Sequence, residues 1–301
     1  MRISAIIVNY GRAADTIACV ESLRADAPHV RAIVVDNPSP AGDDDRLERG
    51  LPEDAVLLRS DTNLGYAGGN NLGIRRALRD DPQAVLIVNN DVILEPGCVD
   101  ALTAALDRHP DWGVAAPLSL LARDPGIVDF YTAEVDVPHI ALRARGRDES
   151  VTNVPPGDAA SDYVTGSAML LRRSALEKTG FFDERFFLVW EDVDLCLRLA
   201  RDGFQCGVTT NARVLHARSA SFGGDASPLH RYFFARNSFL VVRKHLKGPA
   251  RYEAEAFGAR RYARWGMGTK LLHRAIRRGL RDGLLGRWGP APSFLLPPAT
   301  K

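Results

Sequence analysis

No apolar run in the 301-residue sequence approaches the roughly 20 residues that a membrane-spanning helix needs. The short run in the opening MRISAIIVNYGR has strand character, so no secretory signal peptide is expected. Cysteine is scarce. Cys19, Cys98, Cys196 and Cys206 are far apart, which leaves no CxxC metal or redox motif and no disulfide framework, and points to a reducing cytoplasm. Neither GxGxxG nor a Gly-rich loop ending in GK[ST] is present, which argues against a dinucleotide fold and a P-loop. No internal repeat or low-complexity tract occurs. A net charge of +2 rules out a strongly basic nucleic-acid reader, whose binding face would be basic.

That small net charge hides an asymmetry. Residues 1–242 hold 25 lysines and arginines against 34 acids, whereas residues 243–288 hold 13 against three, Glu253, Glu255 and Asp282. An acidic body with a basic C-terminal attachment device is the reading. From Gly266 to Trp288, Leu272, Ile276, Leu280, Leu284 and Trp288 recur every four residues, with Arg274, Arg277, Arg278 and Arg281 largely off the stripe. Such a helix either lies on an anionic membrane surface or docks on the body. Gly268, Gly279, Gly283 and Gly286 weaken the helix.

The first 110 residues alternate short β-branched runs with helical periodicity, the pattern of parallel βαβ units. Strands are expected at Ile3–Val8, Ala32–Asp36, Val56–Arg59 and Ala84–Asn89, and helices at Asp15–Arg24 and Asn71–Arg79. Polar residues collect after the strands, where open α/β sheets bind ligands. They are Asn9, then Asp36 and Asn37, then Asn63 to Asn71, then Asn89 to Asp91. Further on, 98–108 reads as a helix and Gly113–Pro117 as a strand. Residues 119–160 read as strand and loop with a mobile portion near 143–160. Tyr163–Arg172 reads as a strand pair or a strand and turn, and Trp190–Asp202 as an amphipathic helix. The chain divides into 1–110, 111–242 and 243–301.

Four stretches carry chemistry. Asn89–Asn90–Asp91 ends an apolar strand, where a carboxylate suits a hard divalent cation, though such clusters often only turn the chain. In DTNLGYAGGNNLG, Asp61 to Gly73, glycines Gly65, Gly68 and Gly69 permit a close backbone approach, and Asn70 or Asn71 would cap a helix facing phosphate. In FFDERFFLVWEDVDLCLR, Phe181 to Arg198, the acids Asp183, Glu191, Asp192 and Asp194 sit among aromatic residues. An apolar surround raises a carboxylate toward the pKa of a general base, while one acid can simply cap the helix. His216 is read as structural or as a ligand. Arg236–Asn237 offers phosphate a planar fork or forms a surface ion pair.

As an ordered set, IIVNY, VVDN, NLGYAGGNNLG, NND, TGSAMLLRR, FFDERFFLVWEDVDLCLR, the later histidine and RN resemble the family 2 inverting glycosyltransferases, particularly the rhamnosyltransferase-like branch. The match spans roughly residues 3–240. The resemblance implies an α/β GT-A fold, a Rossmann-like mostly parallel sheet flanked by helices, here with a helical basic C-terminal extension. It implies Asp36 on the nucleobase, and Asn9, Asn37, Asn63, Gly65, Gly69, Asn70, Asn90 and Arg236 around the nucleotide-sugar. Asp91 and His216 would bind Mn²⁺ or Mg²⁺. Asp192, paired with Glu191, would be the catalytic base, with Gly166, Ser167 and Trp190 on the acceptor.

The resemblance also implies transfer of a single sugar, rhamnose or another deoxyhexose, from a dTDP or UDP donor. A glycan, lipid-linked or small-molecule hydroxyl would accept it. No nucleic acid is expected, and peripheral contact with the inner membrane face through 266–288 and a homodimer are left open. Asn89 replaces the first Asp of the strongest metal motifs, Pro38 and Pro40 follow VVDN, and the QxxRW of processive synthases is missing. A non-catalytic nucleotide-sugar-binding protein is the alternative. A sugar-phosphate nucleotidyltransferase lacks support, because VNYGRAAD after the first strand carries one glycine.

Overall fold

A computed structural model describes residues 1–39, 44–218, 227–265 and 269–296. Pro40 and the start of the expected C-terminal helix at Gly266–Gly268 lie outside the described residues. The chain opens with β1 (Ile3–Asn9), α1 (Ala13–Asp26), β2 (Arg31–Asp36), α2 (Asp44–Gly50), β3 (Val56–Arg59), α3 (Gly65–Ala77) and β4 (Ala84–Asn89). β1 pairs in parallel with β2 on one side and β4 on the other, and β2 with β3. The order β4–β1–β2–β3 makes the β1/β4 boundary the point where the winding reverses. A crevice opens there beyond the strand ends, as such topology dictates.

β1 shows why the sequence reads as an unbroken apolar run. Ile6 faces one core with Ile33, Val85 and Ile87, whereas Ala5 and Ile7 face the other with Val34, Leu86 and Val88. Both faces of the strand are covered, so alternation disappears from the sequence.

The sheet continues through β5 (Val92–Leu94), α4 (Cys98–Arg108), β6 (Trp112–Leu121), β7 (Asp124–Phe130), β8 (Thr132–Asp136), β9 (Ala141–Arg145), β10 (Asp158–Ser161), β11 (Ala168–Arg172), α5 (Arg173–Thr179), α6 (Glu191–Arg201) and β12 (Gln205–His216). β11 runs antiparallel between β4 and β6, and β12 runs parallel to β6. β8 and β9 form a separate hairpin. Residues 143–160, expected as a mobile stretch, therefore contribute to β9 and β10, each paired by a ladder. Their short, mixed-charge sequences hide this because no residue of either strand is fully buried.

Two expectations about helices are corrected. α3 starts at Gly65, so Gly68, Gly69, Asn70 and Asn71 are inside the helix and not in a loop before it. The glycines let α3 press on β1: a Cβ on Gly69 would come 2.9 Å from Val8 Cγ1, and one on Gly73 2.4 Å from Ile6 Cγ2. Neither asparagine caps the helix. The Gly65 N–H donates to Asn63 Oδ1 at 2.9 Å, and those of Tyr66 and Ala67 to the Phe187 carbonyl at 2.8 and 3.2 Å.

The C-terminal part holds α7 (Pro228–His245), α8 (Gly248–Arg264) and α9 (Lys270–Leu284). The glycines that weaken α9 on propensity are its contact surface. A Cβ on Gly279 would meet the Tyr232 carbonyl at 2.4 Å, and one on Gly283 the Arg236 carbonyl at 2.9 Å. Ile276 is buried and Leu272 and Leu280 are half-buried against Phe239, Tyr262 and Trp265. The stripe thus docks on the body, and α9 presents Lys270, Arg274, Arg277 and Arg281 outward. No helix among the described residues is long and apolar enough to cross a membrane.

Candidate active site

A cavity of about 570 Å³ opens at the β1/β4 boundary. Of the residues singled out from sequence, Asn37, Asn63, Gly65, Asn90, Asp91, Gly166, Ser167, Trp190, Glu191, Asp192 and His216 line it, together with Val8, Tyr10 and Tyr66. Asn9, Asp36, Gly69 and Asn70 stand behind this wall. Asn9 Nδ2 donates to Asp36 Oδ1 at 2.7 Å, and Asn9 Oδ1 accepts from Thr16 at 2.7 Å. Asn37 braces the start of α3, donating to the Gly65 carbonyl at 3.2 Å and accepting from Leu64 N–H at 3.2 Å. Asn70 only bonds the Tyr66 carbonyl of its own helix.

At the end of β4, Asp91 faces His216 from the end of β12, with Nε2 3.3 Å from Oδ1. The other ring nitrogen, Nδ1, donates to Asp129 at 2.7 Å. Asp129, from β7, also accepts from Ser119 at 3.0 Å and pairs with Arg218 at 2.6 Å. Burial alone would lower the His216 pKa, but the two carboxylates overcome it and raise it to about 9. Asp129 falls below the usual carboxylate range, because His216 and Arg218 outweigh its burial.

Asp91 and His216 are chemically suited to a divalent cation, one oxygen and one imidazole nitrogen. Among the described residues no group of three or more acid, histidine or cysteine side chains is gathered around one point. The set therefore fits an ion that takes its remaining ligands from substrate phosphates and water, as Mg²⁺ and its relatives commonly do. Asp129 fits the second sphere, fixing the imidazole tautomer.

Across the cavity, Trp190, Glu191 and Asp192 are set by a loop of unusual backbone. Phe187, Val189 and Trp190 all have positive φ, at 65°, 70° and 77°, which disfavours residues with side chains. Donors from α7 compensate. Asn237 Nδ2 donates to the carbonyls of Phe186, Leu188 and Val189 at 2.9, 2.7 and 2.7 Å. Arg236 donates to Phe186 O at 2.7 Å and to the Gly289 carbonyl.

Arg236 is fully buried and does not line the cavity. Its expected place on a phosphate is corrected: its fork is occupied by the carbonyls of Phe186, beside the twisted loop, and of Gly289, after α9.

Asp192 keeps an edge open to the cavity. Its carboxylate accepts Gly166 N–H at 3.0 Å and Val193 N–H at 2.8 Å. Burial nevertheless pushes its pKa up. Glu191 is pushed well above the usual range, first by burial and then by the charge of Asp192, and its Oε2 has no hydrogen-bond partner. Gly166 has no room for a side chain, since Tyr66 donates to its carbonyl at 2.5 Å. Trp190 is buried, tilted on Phe234 at 5.1 Å, with its N–H donated to the Phe234 carbonyl.

Two further acids of this stretch, Asp183 and Asp194, have structural work. Asp194 pairs with Arg198 at 2.9 Å, Lys244 at 2.8 Å and His245 at 2.9 Å. Asp183 pairs with Lys244 and Arg185, both at 2.6 Å. These partners hold both acids below the usual range despite burial. Sequence reasoning passed over Asp129, Tyr66, Arg231 and Arg261, all in the cavity wall. None belongs to a repeated spacing.

The family model described as "Glycosyl transferase family 2" matches residues 4–180. The chain is 32% identical over 247 residues to an N-acetylglucosaminyl-diphospho-decaprenol L-rhamnosyltransferase of Mycobacterium tuberculosis, covering 74% of this chain and 78% of that one. It is 25% identical over 253 residues to a dTDP-rhamnosyl transferase of Shigella flexneri, covering 81% and 80%. Among solved structures it is similar to a mannosyltransferase from Pyrobaculum calidifontis in complex with GDP-Man and Mn²⁺. There the TM-score is 0.60 and the identity 15%, over 95% of this chain and 88% of that chain.

Proposed function

The chain belongs to glycosyl transferase family 2, and from that premise we propose that it moves one deoxyhexose, rhamnose first, from a dTDP- or UDP-linked donor. The acceptor is a hydroxyl of a lipid-linked glycan, and the anomeric centre is inverted. The named relatives support the sugar and the lipid-linked acceptor. One observation carries the mechanism: Asp91, His216 and Asp192 all line a single cavity.

The nucleotide lies along the ends of β1, β2 and β4, beside Tyr10, Asn37, Asn63 and Asn90. Asp91 and His216 would hold a divalent cation, Mn²⁺ or Mg²⁺, which would supply Lewis-acid stabilisation of negative charge on the diphosphate. Asp192 takes the proton of the acceptor hydroxyl as its oxygen attacks the anomeric carbon in line, opposite the departing phosphate. Gly166 N–H keeps the carboxylate oriented. The bulk of Trp190 and Tyr66 excludes water from that side, which favours transfer over hydrolysis. The basic outer face of α9 attaches the enzyme to an anionic leaflet.

A panel of nucleotide-sugars, read by nucleoside diphosphate release with and without Mn²⁺, tests the reading. Release from a dTDP- or UDP-deoxyhexose that requires the ion and an added acceptor is expected. No turnover with any donor, alongside intact nucleotide binding, would leave a non-catalytic binding protein.

A further inference from the structure

Four arginines line the cavity, Arg147, Arg218, Arg231 and Arg261. Arg218 is neutralised by Asp129 and Asp148, each at 2.6 Å, and Arg147 lies 4.0 Å from Asp148. Arg231 and Arg261 differ: among the described residues neither has a carboxylate within ion-pair distance. Both guanidinium groups instead lie over one indole, that of Trp265, at 4.7 and 5.6 Å from the ring centre. Arg261 is further fixed by donating to the Ile140 carbonyl at 2.9 Å. Cations stacked on a ring are held in place while their outward N–H donors stay available.

The pair is electrostatically incomplete. Arg231 stands in the first turn of α7, a helix end that is already positive, and that turn contains no acid. Arg261 lies in the last turn of α8, whose carbonyl end favours it, yet two like charges sharing one ring repel until an anion joins them. Their position separates them from the strand ends that take the nucleotide. Phe234 bridges the ring of Trp190 at 5.1 Å and that of Trp265 at 6.1 Å, so the pair belongs to the Trp190–Asp192 wall. Ile140, Leu142 and Phe234 add apolar surface beside it.

We propose that Arg231 and Arg261 form a subsite for the phosphate groups of the acceptor, one guanidinium fork to each phosphate of a diphosphate ester. The ester's alkyl chain leaves over Ile140 and Leu142. The subsite rests on the transferase reading above, and it names the residues that select a diphosphate-linked acceptor over a neutral glycoside.

Calorimetry on the full chain, saturated with dTDP and Mn²⁺ so that the donor site is filled, tests the subsite with geranyl diphosphate, inorganic pyrophosphate and geraniol. Saturable binding of geranyl diphosphate is expected. Arg231→Gln and Arg261→Gln should each weaken it roughly tenfold, the double variant more, and the Lys variants less. Geraniol should bind far more weakly and ignore the substitutions. Equal affinity for pyrophosphate supports the phosphate subsite while assigning it to a soluble ligand.

No binding to the wild type, or equal binding to the double variant, overturns the proposal. So does a fall in dTDP affinity on substitution, since the pair would then serve the donor. Thermal melting checks that the variants fold. Should the donor panel show no transfer while geranyl diphosphate still binds through both arginines, the transferase reading fails and the subsite stands. Transfer to diphosphate-linked acceptors that ignores both substitutions removes the subsite alone.

Discussion

Asp129 and His216 are joined by a 2.7 Å hydrogen bond from Nδ1, which leaves Nε2 as the imidazole nitrogen that faces Asp91. Asp129 does not touch that acid's side of the ring. It decides which nitrogen carries the fixed proton, a second-sphere task that typically alters metal affinity about 10–100-fold. Asp129→Asn should therefore weaken Mn²⁺ binding to the dTDP-saturated protein within that range, as read by calorimetry. Excess Mn²⁺ should restore most of the activity. His216→Ala should lose affinity without such rescue. An Asp129→Asn protein with wild-type Mn²⁺ affinity would remove the positioning role.

Asp192 and Glu191 are both shifted upward, and this gives two pH effects of known sign. A general base must be ionised, so the acid limb of kcat/KM should lie above the usual 3.8 of an aspartate. Asp192→Asn should lower kcat about 10²–10⁴-fold, the ordinary worth of a positioned base, and leave dTDP affinity nearly unchanged. Stability moves the other way. A carboxyl whose folded pKa is raised contributes fully below its unfolded value, and that contribution is lost as pH rises through the folded value. Glu191→Gln, neutral at every pH, should raise Tm by a few degrees at pH 8 and leave it near wild type at pH 4. Melting curves at the two pH values check this.

Much of this site was legible in the sequence because it stands at strand ends. Asn37 and Asp91 follow buried strands and Asn63 follows the edge strand β3, where topology gathers residues without any need of long-range information. Asp129 was not legible, since β7 reads DPGIVDF, with an exposed first half and no alternation, and meets His216 only through the sheet, 87 residues away. Arg236 misled for the opposite reason. A buried arginine and a phosphate-binding arginine look alike in one dimension, and only the positive φ at Phe187, Val189 and Trp190 explains why carbonyls there need its donors. The glycines of α3 and α9 likewise read as loop or helix breakers, because propensity ignores the close approach that a missing Cβ allows.

Asp194, two residues from Asp192 on α6, is shifted the other way by Arg198, Lys244 and His245. It ties the base-bearing helix to α7. Asp194→Asn leaves buried Arg198 and half-buried Lys244 without their acid, so unfolding in urea should show a loss of about 3–5 kcal/mol. The pH sign is that of a depressed carboxylate. Its contribution is present above the unfolded value and is lost as pH falls through the folded one. The wild type should therefore lose stability steeply on acidification, and the gap between it and Asp194→Asn should narrow. A gap that stays constant between pH 7 and pH 3 would contradict the ion-pair account.

The outward face of α9 makes the last prediction. Leu272, Ile276 and Leu280 are turned toward α7 and α8, so a membrane would meet Lys270, Arg274, Arg277 and Arg281, with exposed Leu271, Leu284 and Leu285 at the two ends. Each such cation is worth about 1 kcal/mol near an anionic leaflet, and the attraction fades within a Debye length. Replacing Arg274, Arg277 and Arg281 by Gln should thus weaken co-sedimentation with phosphatidylglycerol vesicles roughly a hundredfold, and neutral vesicles should bind neither form. Salt at 0.5 M should release the wild type. Arg277 and Arg281 are exposed and Arg274 stacks on Phe294 at 4.1 Å, so turnover on a water-soluble acceptor should stay unchanged and Tm should fall by no more than the loss of that one contact. Vesicle binding that survives the triple substitution would mean that α9 serves only to brace α7.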